Sequence, residues 1–278
     1  MKKYGLIGWP VSHSISPPMQ NAGFRAIGVN ASYDLYPIEP KKLAKGIEQL
    51  KELNLSGWNI TVPHKTAMLE LVDWIEPSAK AAASINTVKN IDGQLKAWST
   101  DGYGLEKSIL ESYGLTLKGN IFSFIGTGGA ARATAMHFAA HGAKELHLIN
   151  RTISKAESLA EDILKNYPQV SIQVCSTASE KQKKLLQETD VCIQSTSLGL
   201  EASDPLPVAE QYLYPGLRIL DMIYKPTALQ KVAKQRGCNV VSGLGMLLYQ
   251  GVRSFEIWND LNDGPAEAML EGLKEAIL

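Results

Sequence analysis

Four short clusters in the first hundred residues hold most of the side-chain types that recognition of a polar ligand needs. Ser12-His13-Ser14-Ile15-Ser16-Pro17 groups hydroxyls after the first apolar run, and Asn59-Ile60-Thr61-Val62-Pro63-His64-Lys65 ends the third with an amide, a hydroxyl and an ammonium. Asn86-Thr87 and Ser99-Thr100-Asp101-Gly102 finish two further runs, and the second adds a carboxylate. In a parallel sheet the loops beyond the carboxyl ends of the strands are where ligands bind. Asn59 and Thr61 alternate with apolar Trp58 and Ile60, which turns both polar side chains to one face. Together the clusters predict a polar pocket with little apolar surface, suited to a small polyol, carboxylated or not.

A second kind of chemistry is encoded further on. Gly126-Thr127-Gly128-Gly129-Ala130-Ala131-Arg132 follows the apolar run from Ile121 to Ile125 and opens a helical pattern from Ala133 to His141. Gly126, Gly128 and Ala131 fit the G-x-G-x-x-A form: a tight turn, an unobstructed approach to a pyrophosphate, and a small residue where helix meets strand. The helix N-terminus would present free N–H groups to the phosphates. About 20 residues on, where an NAD-specific protein places an acid for the ribose hydroxyl, stands Asn150-Arg151-Thr152, followed by Lys155. A guanidinium there pairs with a 2′-phosphate and favours NADP over NAD.

These groups need elements to hold them. Strands are expected over Lys3 to Ile7, Ser32 to Pro37, Gly57 to Thr61 and Ile85 to Val88, with Leu95 to Trp98 as a hairpin partner across Asp92-Gly93. A second set spans Ile121–Ile125, Leu146–Asn150, Ser171–Cys175, Val191–Ser195 and Arg218–Met222, with helical periodicity between strands, as in α/β proteins. Ser154 and Glu157 predict a capping box for the helix after the second of these strands. From about Leu244 the pattern is wholly helical, with one stripe of Leu248, Val252 and Phe255 and another of Met269, Leu270, Leu273 and Ile277. The expectation is an α/β substrate domain (1–102 and 244–278), made discontinuous by C-terminal helices that return to it, around a Rossmann-type nucleotide-binding domain (103–243).

Bulk properties agree with small-molecule chemistry. At 278 residues two domains are the prior, and Lys+Arg balance Asp+Glu at 28 each, which recommends neither nucleic acid nor an anionic membrane as partner. No run of about 18 apolar residues suggests a membrane span. The strand-like Tyr4-Gly5-Leu6-Ile7 leaves no room for a signal peptide. Cys175, Cys192 and Cys238 are dispersed and odd in number, as expected of reduced thiols in a cytoplasmic protein. His137, His141 and His147 fall within the nucleotide-domain elements and are given structural roles, and no metal is expected.

Eight motifs in chain order carry a resemblance over nearly the whole chain. They are Ser14-Ile-Ser16-Pro17, Asn59-Ile-Thr61-Val-Pro63-His-Lys65, Ile85-Asn86-Thr87, Thr100-Asp101-Gly102, Gly126-x-Gly128-Gly129-Ala-Ala-Arg132, Asn150-Arg151-Thr152, Asp221-Met-Ile-Tyr224-x-Pro226 and Gly243-Leu-Gly-Met246-Leu-x-x-Gln250. The sequence resembles the shikimate dehydrogenase family. That resemblance implies NADP-linked, reversible reduction of 3-dehydroshikimate to shikimate on the route to aromatic amino acids, by a monomer or homodimer. It implies Lys65 and Asp101 as the catalytic pair, with Ser14, Ser16, Asn59, Thr61, Asn86, Tyr224 and Gln250 around the substrate. For the cofactor it implies Gly126, Gly128, Gly129, Ala130, Ala131, Asn150, Arg151, Thr152, Lys155, Thr196, Gly243 and Met246.

The chain departs from the family pattern at Gln20, at Ala83-Ser84, at Ser99 and at Gln194-Ser195. Two alternatives stand beside the main reading: a quinate/shikimate dehydrogenase of broader substrate or cofactor use, and a non-catalytic NADP(H)-binding sensor. Retention of both Lys65 and Asp101 argues against the sensor. Glutamyl-tRNA reductase has a similar NADP domain but needs a nucleophilic cysteine in its N-terminal domain, and none precedes Cys175.

Overall fold

Residues 1–277 are described by the computed structural model of the chain. Leu278, the last residue of the expected 244–278 segment, lies outside the described residues. The chain divides into two units, Met1–Gly104 with Leu248–Leu278, and Leu105–Leu247.

The first unit contains β1 (Lys2–Gly8), α1 (Ser16–Ala26), β2 (Ala31–Pro37), α2 (Leu43–Glu52), β3 (Leu55–Ile60), β4 (Trp74–Ile75), α3 (Pro77–Ala82), β5 (Thr87–Ile91) and β6 (Gln94–Trp98), and α4 (Asp101–Tyr113) starts within it. Its sheet has the order β2-β1-β3-β5-β6-β4. β1 runs parallel to both neighbours, and its residues Tyr4 to Gly8 are all buried, as in a strand covered on both faces. β5 and β6 form the expected hairpin, with Asp92 and Gly93 both at positive φ as a type I′ turn requires. Two details differ from expectation. Ile85 and Asn86 precede β5 instead of starting it, and Asp101 is the first residue of α4, not the end of a strand. A carboxylate in the first turn of a helix is favoured by the unpaired N–H groups there.

The second unit holds β7 (Ile121–Ile125), α5 (Gly129–Ala140), β8 (Glu145–Asn150), α6 (Ile153–Asn166), β9 (Ser171–Ser176), α7 (Lys181–Glu188), β10 (Val191–Gln194), β11 (Arg218–Asp221), α8 (Ala228–Gln235) and β12 (Asn239–Val241). All six strands are parallel in the order β9-β8-β7-β10-β11-β12, the doubly wound Rossmann arrangement, whose direction reverses between β7 and β10. The capping box at Ser154 is corrected: α6 begins two residues earlier than that pattern requires, its N-cap is Thr152, and no side chain caps it. Helix α5 likewise starts inside the glycine loop instead of after it.

The last helices are α9 (Leu244–Asn259) and α10 (Ala266–Glu275). From Leu248 onward they belong to the first unit. Trp258 shows why. Its ring lies 5.0 Å from that of Tyr4 and 6.0 Å from that of Tyr33, and its indole N–H donates to Val88 O at 2.8 Å. A Cβ on Gly57 would come within 2.6 Å of the indole nitrogen, and one on Gly272 within 2.6 Å of Pro18 O, so both contacts depend on glycine. Met269 and Leu273 are fully buried, but Ile277 lies beyond α10 and is half exposed, so the apolar stripe ends at Leu273.

Candidate active site

Lys65 sits five residues past the end of β3 on a loop pinned from both sides. Its own carbonyl accepts from Ile85 N, and the neighbouring His64, buried at 1% exposure, places Nε2 2.7 Å from Ile38 O. The Lys65 side chain keeps partial exposure, and its Nζ donates to Asp101 Oδ2 at 2.5 Å. The other Asp101 oxygen accepts from Asn86 Nδ2 at 2.8 Å. Both carboxylate oxygens are therefore oriented, one by a lysine and one by an amide.

Asn86 is the hub of this arrangement. Its Nδ2 also faces Thr100 Oγ1 and, at 3.3 Å, Gln250 Oε1 on α9, while its Oδ1 accepts from Thr100 N and Thr87 Oγ1. Behind it Asn59 donates to Asn86 O, Thr87 Oγ1 and Ser254 Oγ and accepts from Tyr33 Oη. The Asn59 amide group is thus engaged by protein on both its nitrogen and its oxygen, which makes it a support for Asn86. Tyr33 and Ser254 are members of this network that motif reading passed over. Ser254 lies one helical turn past Gln250, a spacing that could have flagged it.

Ser14 and Ser16 stand apart from this group. Ser14 Oγ donates to Ser16 Oγ at 3.2 Å and accepts from Ser16 N, in the loop that leads from β1 into α1. Thr61 follows β3, with its N–H on Ile7 O at the same end of the sheet. Among the described residues, neither serine nor the Thr61 hydroxyl hydrogen-bonds to Lys65, Asp101 or Asn86. Three departures from the family pattern leave marks in this unit. Gln20 donates to Gly251 O while, among the described residues, its Oε1 and the Ser99 Oγ are buried without a partner, and Ala83 caps α3 in the left-handed conformation (φ +51°).

In the second unit the glycine loop follows β7. Gly126 has φ +97°, and a Cβ there would lie 2.6 Å from Thr196 Cγ2. Cβ atoms on Gly128 and Gly129 would meet nothing within 4 Å, so these glycines face open space and not packed protein. Thr127 Oγ1 is buried without a partner among the described residues, and Gly128 caps α5 with no side chain over the helix N-terminus. Ala130 is exposed beside them, whereas Ala131 is fully buried where helix meets strand. A glycine turn, uncapped helical N–H groups and an orphaned hydroxyl fit a phosphate-bearing cofactor.

The flanking segments are braced toward this turn. Gln194 binds Thr196 N through Oε1 and the Thr196 and Leu198 carbonyls through Nε2, and Ser195 Oγ donates to Ile125 O and Gly126 O. The Gln194-Ser195 departure therefore carries its own hydrogen bonds. Arg151, Thr152 and Lys155 are exposed beyond β8, Asn150 Nδ2 donates to Thr152 O, and Arg151 makes no ion pair among the described residues. Half-buried Tyr224 follows Asp221, which accepts from Ile223 N, Thr227 Oγ1 and Gln230 Nε2 and whose carboxyl is pushed up by burial. Gly243 precedes α9 so close to Met222 that a Cβ would fall 2.0 Å from its carbonyl oxygen. Half-buried Met246 lies in the first turn of α9.

Residues 6–88 match the shikimate dehydrogenase substrate binding domain, residues 107–202 the shikimate / quinate 5-dehydrogenase family, and residues 243–274 the shikimate 5′-dehydrogenase C-terminal domain. The shikimate dehydrogenase (NADP(+)) of Methanopyrus kandleri is 35% identical over 276 residues, covering 98% of this chain and 94% of that protein. Among solved structures, shikimate dehydrogenase from Aquifex aeolicus superposes with a TM-score of 0.89 at 35% identity, covering 99% of this chain and 98% of that one. The Thermus thermophilus enzyme in complex with NADP(H) and shikimate gives 0.86 at 28% identity, covering 99% and 100%. With three family domains matched in order and full-length relatives above 30% identity, this chain belongs to the shikimate dehydrogenase family.

Proposed function

We propose that this chain catalyses the NADP-linked, reversible reduction of 3-dehydroshikimate to shikimate, with Lys65 and Asp101 as its catalytic pair. The observation that carries the reading is the Lys65–Asp101–Asn86 chain of hydrogen bonds at the carboxyl edge of the first sheet. NADPH, when bound, would supply a hydride to the carbonyl carbon. The oxygen then gains negative charge, and the Lys65 ammonium stabilises it and passes it a proton, which the amine recovers from solvent; oxidation runs the same transfers backwards. Asp101 aims the ammonium, and Asn86 with the α4 N-terminus aims Asp101.

Ser14 and Ser16 bind the substrate carboxylate; Thr61, Asn86 and Gln250 hold its hydroxyls, Asn59 contributing from behind Asn86; and Tyr224 contributes a further substrate contact. Gly126, Gly128, Gly129, Ala130 and Ala131 cradle the pyrophosphate, and Asn150, Arg151, Thr152 and Lys155 hold the adenosine 2′-phosphate. Thr196, Gly243 and Met246 border the nicotinamide end. We assign the substrate role to 1–102 with 244–278 and the cofactor role to 103–243. This division is supported by two units that part at Gly104/Leu105 and Leu247/Leu248. A monomer or homodimer in the cytoplasm completes the reading. Cys175, Cys192 and Cys238 are buried free thiols, as a reducing compartment leaves them; among the described residues no helix is long and apolar enough to cross a membrane.

Initial rates with shikimate and with quinate, each with NADP⁺ and NAD⁺, test the proposal. Shikimate with NADP⁺ is expected to give the highest kcat/KM. Comparable turnover of quinate, or equal use of NAD⁺, would assign the chain to the broader quinate/shikimate type, and no turnover with any pair would leave it a sensor.

A further inference from the structure

Two histidines and a glutamate outside the proposed active site converge in the second unit. His137 lies in α5, His141 caps its C-terminus one turn later, and Glu106 reaches them from α4. The two imidazole rings stack with centroids 3.9 Å apart, His137 Nε2 is 2.6 Å from Glu106 Oε2, and one ligand atom from each of the three residues lies within 4.8 Å of the others. We propose that this cluster is a binding site for a borderline divalent transition-metal ion of the Zn²⁺, Co²⁺ or Ni²⁺ class, tying α4 to α5.

The donor set decides the class of ion. Two imidazoles and one carboxylate suit zinc and its first-row neighbours, whereas Mg²⁺ and Ca²⁺ take oxygen ligands. Histidines at i and i+4 project from one face of a helix, so α5 offers two ligands without rearranging its backbone. His141 is already in the tautomer that binding needs. Its Nδ1 is 2.8 Å from His137 O, and a carbonyl only accepts, so Nδ1 donates there and Nε2 is the nitrogen left for a metal. Metal–ligand bonds of 2.0–2.1 Å put tetrahedral ligand atoms about 3.3 Å apart, so the farthest pair must close by about 1.5 Å. Rotation of the exposed His141 and half-buried Glu106 side chains supplies that movement. The cation replaces the proton shared by His137 Nε2 and Glu106 Oε2: two metal–ligand bonds form there, and one proton leaves to solvent. Three protein ligands leave a position for water.

Chelator-stripped, full-length protein titrated with CoCl2 provides the test, because the visible bands of Co²⁺ report coordination number directly. One Co²⁺ per chain with four- or five-coordinate bands is expected, displaced by ZnCl2 and not by MgCl2. His141→Ala and Glu106→Gln should each weaken binding by about tenfold or more, as loss of a ligand should cost at least what loss of an outer-shell partner does. The exposed His141 position keeps that variant folded, so its result stands alone. Absence of saturable binding, equal competition by Mg²⁺, or unchanged affinity in both variants would overturn the proposal, the last outcome placing the ion elsewhere.

Discussion

Lys65 and Asp101 gain their geometry from residues that do no chemistry themselves. The lysine loop is fixed by His64 on Ile38 O, and the aspartate by Asn86, which Thr87, Thr100 and Gln250 contact in turn. An ammonium has three donors, and Asp101 takes one, leaving the others for a substrate oxygen. Lys65→Ala is expected to lower kcat by about 10²–10⁴-fold with a much smaller change in KM, since the loss falls on proton transfer and alkoxide stabilisation. Steady-state kinetics in both directions checks this. A wild-type kcat with a raised KM would make Lys65 a binding residue only.

At the scale of elements, the cofactor end is built from the joints between strands and helices. β7 delivers the glycine turn, β10 delivers the Gln194–Ser195–Thr196 brace against it, and β8 ends where Arg151 stands exposed. Arg151, exposed at a strand end and without an ion pair among the described residues, suits recognition of a 2′-phosphate. Arg151→Ala should raise the Kd for NADP⁺ by about ten- to a hundredfold, as loss of a charge-assisted hydrogen bond of roughly 1.5–3 kcal/mol implies. Its affinity for NAD⁺, which lacks that phosphate, should hardly move. Titration calorimetry with the two cofactors separates the cases, and equal losses would assign Arg151 to the fold or the adenine.

On the scale of the whole molecule, stability depends on groups that neither site uses. His147, in the middle of β8, is fully buried between Ser123 and Glu145, and burial pushes its imidazole pKa down. The folded chain therefore keeps this ring neutral at a pH where the unfolded chain protonates it, near its ordinary value of about 6.5. Below that value the unfolded state binds more protons, so stability falls as pH drops. His147→Gln should flatten that fall: urea midpoints at pH 8 and pH 5.5 should differ less in the variant than in the parent. An identical pH dependence in both would remove His147 from the account.

Much of the protein is legible in its sequence, and for a local reason. The G-x-G-x-x-A turn and the Asp92-Gly93 hairpin are set by backbone conformation and by neighbours a few residues away, so residue identity alone announces them. The eight motifs suffice to recognise the family, which the matched domains bear out. Helix starts were less legible: Ser154 has a capping sequence, yet α6 begins before it, because propensity at a terminus is outweighed by how the preceding strand enters the helix. What no local pattern contains is the meeting of distant residues. Asn59 and Ser254 are 195 residues apart and hydrogen-bond at 2.9 Å, and Glu106 finds His137 across 31. Strand order and the docking of helices, α9 on the first sheet and α10 on α1, decide such contacts. These depend on which apolar faces bury one another, a property of the assembled chain and not of any segment within it.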